Sequence, residues 1–184
     1  NSPGGTVVAS ELMDDEIMHF RETTGKPVVA VMMDMATSGG YYIACACDEI
    51  VAQPSTVTGS IGVLMLMFDA TGTMNKIGLR SEAITSGKFK DAGSPFKPLG
   101  PEERELFRNM VMDMYERFVC VVKAGRPELT EEAVRRLADG RVYTASQALE
   151  AGLIDRISSL RETTCGLKEE LGLRGVKLVT YHRP

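Results

Sequence analysis

The most constraining feature of this sequence is a short apolar run that leads, through a turn of small residues, straight into a helical segment. Val28–Met33 carries almost only aliphatic side chains and is too short for a helix of its own, so it reads as a strand buried on both faces. Asp34–Gly40 follows as a turn, and Tyr41–Cys47 resumes as a helix that opens from it. The order repeats downstream. Glu49–Ala52 reads as a second buried strand, Asp69–Lys76 as a short helix ended by Gly78, and Arg80–Thr85 as a strand. Ile154–Ile157 reads as strand or extended chain, and Val176–Tyr181 as a last strand. Short strands alternating with helices predict an α/β fold built on a parallel sheet.

The helices have their own signals. Val7–Glu22 reads as a helix whose Asp14-Asp15-Glu16 group suits a solvated face, ended by Gly25-Lys26-Pro27. Pro101–Lys123 is the longest. Leu106, Met110, Met114, Phe118 and Val122 give it an apolar stripe, and Glu102, Glu103 and Glu105 sit near its positive N-terminus. Thr130-Glu131-Glu132 starts a helix over Ala133–Ala138. Ser146–Ala151 and Arg161–Leu171 complete the set.

Length and composition bound the function. One domain over all 184 residues is expected, with no internal repeat or linker. The net charge of −4 provides no basic footprint for nucleic acid. No apolar run approaches the roughly 18 residues of a membrane span. Because the chain opens on Asn1-Ser2-Pro3-Gly4-Gly5, it is expected to be an N-terminally truncated fragment of a longer protein. Cys45, Cys47, Cys120 and Cys165 form no metal-ligand spacing, so no metal site is expected. Cys45 and Cys47, in an apolar stretch, read as buried small hydrophobes.

Chemistry concentrates in a few segments. Ser38 lies in Ala36-Thr37-Ser38-Gly39-Gly40, between a strand and a helix. A serine there can be presented beside free backbone N–H groups, and the glycines let a substrate approach closely. Taken alone, the motif is better described as an N-cap beside a glycine turn. Pro3-Gly4-Gly5 before a helix also exposes N–H groups, as an ordinary turn does. A serine nucleophile needs a base. His19, in the polar first helix, and His182, in a basic tail, are not placed for that role, so a Ser-His-Asp triad has poor support. A lysine can serve once burial favours its uncharged form. Lys88 and Lys90 lie beside Phe89 in the loop Ser86–Gly100; by themselves they read as solvated.

Taken together and in order, these segments resemble the signal peptide peptidase A family, Ser–Lys serine peptidases of the ClpP/crotonase-like fold group. The elements are Asn1–Gly5, Thr37–Ala44, Thr58-Gly59-Ser60-Ile61-Gly62-Val63, Gly87-Lys88-Phe89-Lys90, and Asp139–Thr144 through Ala151–Asp155. The resemblance implies Ser38 as nucleophile, Lys90 as general base, Ser60 as the serine that orients the lysine, and Gly39 and Gly4 as backbone donors of the oxyanion hole. It implies no cofactor. Substrates would be remnant signal peptides or other hydrophobic membrane-derived peptides. The partners would be further copies of the chain, in a homo-oligomer whose sites are shared between subunits, and a membrane reached through an N-terminal anchor, on the extracytoplasmic side. The Met- and Val-rich Val63–Phe68 stretch would line the substrate groove; core packing describes it equally well. The Met-rich run before Ser38 and the cysteines at 45 and 47 depart from the family pattern. A phage maturation or membrane quality-control protease would carry the same motifs. A crotonase-like binding protein would lack the combination of Ser38, Ser60 and Lys90.

Overall fold

The computed structural model describes residues 1–177 and 179–181. In chain order its elements are α1 (Val7–Thr24), β1 (Val29–Met32), β2 (Met35–Thr37), α2 (Gly39–Ala44), β3 (Glu49–Ala52), β4 (Val57–Gly59), α3 (Thr71–Ile77), α4 (Pro101–Gly125), α5 (Glu131–Leu137), β5 (Val142–Thr144), α6 (Ala145–Glu150), β6 (Arg156–Ile157) and α7 (Leu160–Glu170). They pack as two compact units: Asn1–Ile61 with the chain from Phe118 onward, and Gly62–Arg117.

The first unit holds every strand among the described residues. One sheet has the order β1-β3-β6 and is parallel throughout; Val29 to Met32 stand opposite Glu49 to Ala52. The second has the order β2-β4-β5. There β2 and β4 run parallel, with Thr37 opposite Gly59, and β4 and β5 run antiparallel, with Thr58 opposite Tyr143. The fold is therefore α/β with parallel sheets flanked by helices, as expected, with one antiparallel pair added. Ile50, Val51 and Ala52 are buried, as a continuous apolar run in a covered sheet requires. Tyr41, Val119, Val122, Val134, Ala148, Leu153 and Ile154 pack the core around them. Two of its polar side chains are paired to backbone: Tyr41 donates to the Leu153 carbonyl at 2.7 Å, and Thr58 to the Ala36 carbonyl at 2.6 Å. Capping boxes at Thr144–Gln147 and Ser159–Glu162 fix the starts of α6 and α7.

Several sequence expectations are corrected. Asp34–Gly40 is not all turn: β2 occupies its middle, where the backbone of Ser2 and β4 supply ladder partners on either side. Arg80–Thr85 forms no strand: its side chains are exposed, and it pairs with no strand among the described residues. Of the expected strand Val176–Tyr181, Leu178 lies outside the described residues and the others are not in a ladder. The α4 stripe is buried at Phe118 and Val122, while Leu106 and Met110 are exposed. Of the Asp14-Asp15-Glu16 group, Asp15 and Glu16 are exposed as expected, whereas Asp14 is half-buried. One of its carboxylate oxygens is buried without a partner, and burial, aided by the charge of Asp15, pushes its carboxyl up to about 6.

An ion pair ties the end of α4 to the sheet. Arg126 contacts both oxygens of Asp155 at 3.0 and 2.7 Å and donates from Nε to the Gly152 carbonyl at 2.9 Å. The same carboxylate accepts the Ile50 N–H at 2.7 Å. Partial burial raises the Asp155 carboxyl, but the hydrogen bonds from Arg126 and Ile50 outweigh it and hold the group below the usual carboxylate range. Arg126→Ala is expected to cost about 1–3 kcal/mol, measured as a lower urea midpoint at unchanged slope. The depressed carboxyl sets the sign with pH. Its contribution is complete above the ordinary Asp value and fades as pH falls through the folded one. The difference between wild type and variant therefore shrinks in acid.

Candidate active site

Ser38 stands between β2 and α2, half-buried, with φ 53° and ψ −120°. Ser38 and Ser60, at φ 51°, are the two non-glycine residues with positive φ among those described. Such backbone persists only where neighbours enforce it, and it collects at functional turns. Here the neighbours are visible. The Ser38 N–H donates to the Gly59 carbonyl at 2.8 Å, the residue before Ser60. The Ser60 N–H donates to the Arg141 carbonyl at 2.7 Å, and the Gly140 N–H to the Ile61 carbonyl at 3.1 Å. The Asp139–Arg141 turn thus holds Ser60, and the strand end at Gly59 holds Ser38.

The N-terminal segment closes the other side. Ser2 bridges to Ala36 in parallel: its N–H donates to the Met35 carbonyl at 2.8 Å, and its carbonyl accepts the Thr37 N–H at 3.1 Å. Thr37 Oγ1 donates to the Pro3 carbonyl at 3.0 Å. These bonds bring the Gly4–Gly5 turn against Ser38. A β-carbon on Gly4 would stand 2.8 Å from Ser38 Cβ and 3.1 Å from Gly39 N. A β-carbon on Gly39 would stand 3.2 Å from Gly5 N. The Gly4 N–H already donates to Ser2 Oγ at 3.1 Å. Neither the Gly39 nor the Gly5 N–H donates to any described residue. Two N–H groups without a described acceptor therefore lie in the backbone packed around Ser38. Sequence reading selected Gly39 and Gly4; the distinction between Gly4 and Gly5 lies in a hydrogen bond that the residue types do not reveal.

Ser38, Ser60, Gly4 and Gly39 are thus gathered in the first unit. Lys90 belongs to the second. It is exposed in a run of turns, where its own N–H donates to the Gly87 carbonyl at 3.1 Å. The loop is braced by Lys97, which bonds Asp91 at 2.7 Å and Glu103 at 2.6 Å. Lys88 pairs with Glu102 and stands 5.3 Å above the Phe89 ring centroid. In the first unit His19 is exposed on α1; His182 lies outside the described residues. Cys45 is buried and Cys47 half-buried. Burial pushes their thiols up to about 12 and about 11, which makes them poor nucleophiles. No helix among the described residues is long and apolar enough to cross a membrane.

A serine on a strained turn of an α/β scaffold, beside two free N–H groups, is the arrangement of an acyl-transfer hydrolase site. The model of Peptidase family S49 matches residues 21–174, and the chain belongs to that family. It is 36% identical over 181 residues to an Enterococcus faecium protein provisionally named signal peptide peptidase SppA, covering 98% of this chain and 52% of that one. It is 39% identical over 188 residues to the chloroplastic serine protease SPPA of Arabidopsis thaliana, covering 100% and 27%. It is 36% identical over 181 residues to protease 4 of Salmonella typhi, covering 98% and 29%. The chain thus spans between about a quarter and about half of the length of these relatives.

Proposed function

We propose that this chain carries the catalytic apparatus of a serine endopeptidase in which Ser38 is the nucleophile and Lys90 the general base. The observation that carries the reading is the backbone of Ser38, held at φ 53° with the unpaired N–H groups of Gly39 and Gly5 beside it. Uncharged Lys90 Nζ takes the Ser38 Oγ proton as Oγ bonds to the scissile carbonyl carbon. The oxyanion that forms accepts from Gly39 N–H and from an N–H of the Gly4–Gly5 turn, Gly5 being the one with its hydrogen free. The C–N bond then breaks and the proton passes from Lys90 to the leaving amine. Water, deprotonated by the same amine, hydrolyses the acyl-enzyme. Ser60 orients the lysine. One oxyanion donor is typically worth about 3–4 kcal/mol of barrier.

Lys90 is exposed on the single chain, so the loss of water that favours a neutral amine has to come from a substrate or from a second copy. That requirement fits a homo-oligomer with shared sites. The substrates of this reading are apolar peptides such as remnant signal peptides, in line with the name of the Enterococcus relative. Leu64, Leu66 and Phe68 are all exposed in the irregular stretch after Ser60 and supply an apolar surface for them. An anchor in the longer protein, holding the site on the extracytoplasmic side, completes the proposal.

The test is labelling by a fluorophosphonate probe, located by mass spectrometry. Ser38 of the wild type is expected to be modified, and the rate in Lys90→Ala to fall by about 10²-fold or more. Equal labelling in Lys90→Ala overturns the dyad. No labelling of the wild type overturns the peptidase reading and leaves a crotonase-like binder.

A further inference from the structure

We infer that Ser10 is a positioning residue of the oxyanion hole, its small side chain setting the gap between the two free N–H groups; this rests on the reading above. Ser10 is the buried residue of α1, whose apolar side chains are largely exposed. The place where α1 touches the core is therefore next to the catalytic turn. Its Oγ donates to the Thr6 carbonyl at 3.1 Å, which turns the hydroxyl back along its own helix. A β-carbon on Gly39 would stand 2.3 Å from that oxygen, so the Gly39 backbone lies directly on the Ser10 side chain. The same imaginary carbon is 3.2 Å from Gly5 N and 3.5 Å from Gly4 Cα. Ser10 thus stands where α1, the Gly4–Gly5 turn and the start of α2 meet.

The consequence is geometric. Gly5 precedes Thr6, the residue that caps α1, and the Thr6 carbonyl accepts from Ser10 both its backbone N–H, at 3.2 Å, and its hydroxyl. The Gly39 N–H starts α2. Bulk added at position 10 has no room toward Gly39 and pushes the two helices apart. The donors separate with them, and an oxyanion between them loses one or both hydrogen bonds. Substrate binding along other surfaces is untouched.

Two substitutions separate this role from a structural one. Ser10→Thr retains the hydroxyl bond to Thr6 and adds a methyl group. Ser10→Ala removes the bond and leaves the gap open. If spacing is what matters, Ser10→Thr is the more damaging. It is expected to lower kcat on a fluorogenic peptide by about tenfold or more at unchanged KM. It should also weaken a peptide boronate, which forms a tetrahedral adduct on Ser38, by a similar factor. Ser10→Ala should lose less on both measures even where its melting temperature falls further. Should Ser10→Thr fail to fold, Ser10→Cys, larger by the swap of oxygen for sulfur, must show the same split. An alanine variant as impaired as the threonine one, or a loss confined to KM with boronate affinity intact, overturns the inference. Ser38→Ala is assayed in parallel. If that variant still cleaves, the peptidase reading itself fails; if it is dead while Ser10→Thr keeps wild-type kcat, the role of Ser10 alone fails.

Discussion

Replacing Ser38 with glycine is expected to abolish peptide cleavage and at the same time to stabilise the protein. The first half follows from the nucleophile. Without Oγ there is no acyl-enzyme, and losses of about 10⁴–10⁶-fold in kcat are typical when a serine peptidase loses that group. The second half follows from the backbone. At φ 53° and ψ −120° a side chain is strained by about 1–3 kcal/mol. Glycine relieves that strain and returns part of the gain as greater freedom of the unfolded chain. A net stabilisation of about 1 kcal/mol remains, visible as a rise in melting temperature. Ser38→Ala is the control: equally inactive, but retaining a β-carbon and so gaining nothing. If glycine and alanine melt together, the turn is not held under strain; if either variant retains wild-type kcat, Ser38 is not the nucleophile.

That pairing of lost activity with gained stability marks what the sequence could and could not reveal. The motif around Ser38, taken alone, reads as an N-cap beside a glycine turn, and it takes its catalytic reading from the family resemblance. Its strain was not legible, because it depends on Gly59, Arg141 and the Ser2–Pro3 segment, all distant in sequence. The strands β1 and β3 were readable from continuous aliphatic runs, and α5, α6 and α7 from their caps and periodicity. By contrast β2, β4 and β5 have three residues each, too few for any period, and β2 includes polar Thr37. Their existence is decided by the ladder partners. The reverse case is the strand expected at Arg80–Thr85, whose local pattern finds no ladder partner among the described residues; Ile84 there is 99% exposed. Gly4 is preferred over Gly5 by resemblance alone, and the sequence does not single out Ser10, for a related reason. Nothing in the type or spacing of either residue shows which N–H is already bonded, or which hydroxyl lies under a glycine.

Gly4 is where backbone conformation, close packing and catalysis meet, and Gly4→Ala is expected to damage all three. Its φ of 110° disfavours any side chain. The added carbon would meet Ser38 Cβ at 2.8 Å, Gly39 N at 3.1 Å and the Thr37 carbonyl at 3.1 Å. Two of the three are backbone and cannot swing away. Relief requires the first five residues to lift from β2, against the Ser2 and Pro3 hydrogen bonds that hold them. A loss of about 1–3 kcal/mol in stability should follow, together with a fall in kcat of about 10²–10³-fold, the range for one misplaced oxyanion donor. Gly5 gives the comparison on stability. A β-carbon there meets nothing within 4 Å, so Gly5→Ala should melt within about 0.5 kcal/mol of wild type. If Gly4→Ala melts with Gly5→Ala and keeps wild-type kcat, the N-terminal turn is not locked against Ser38, and its N–H groups cannot be the second half of the hole.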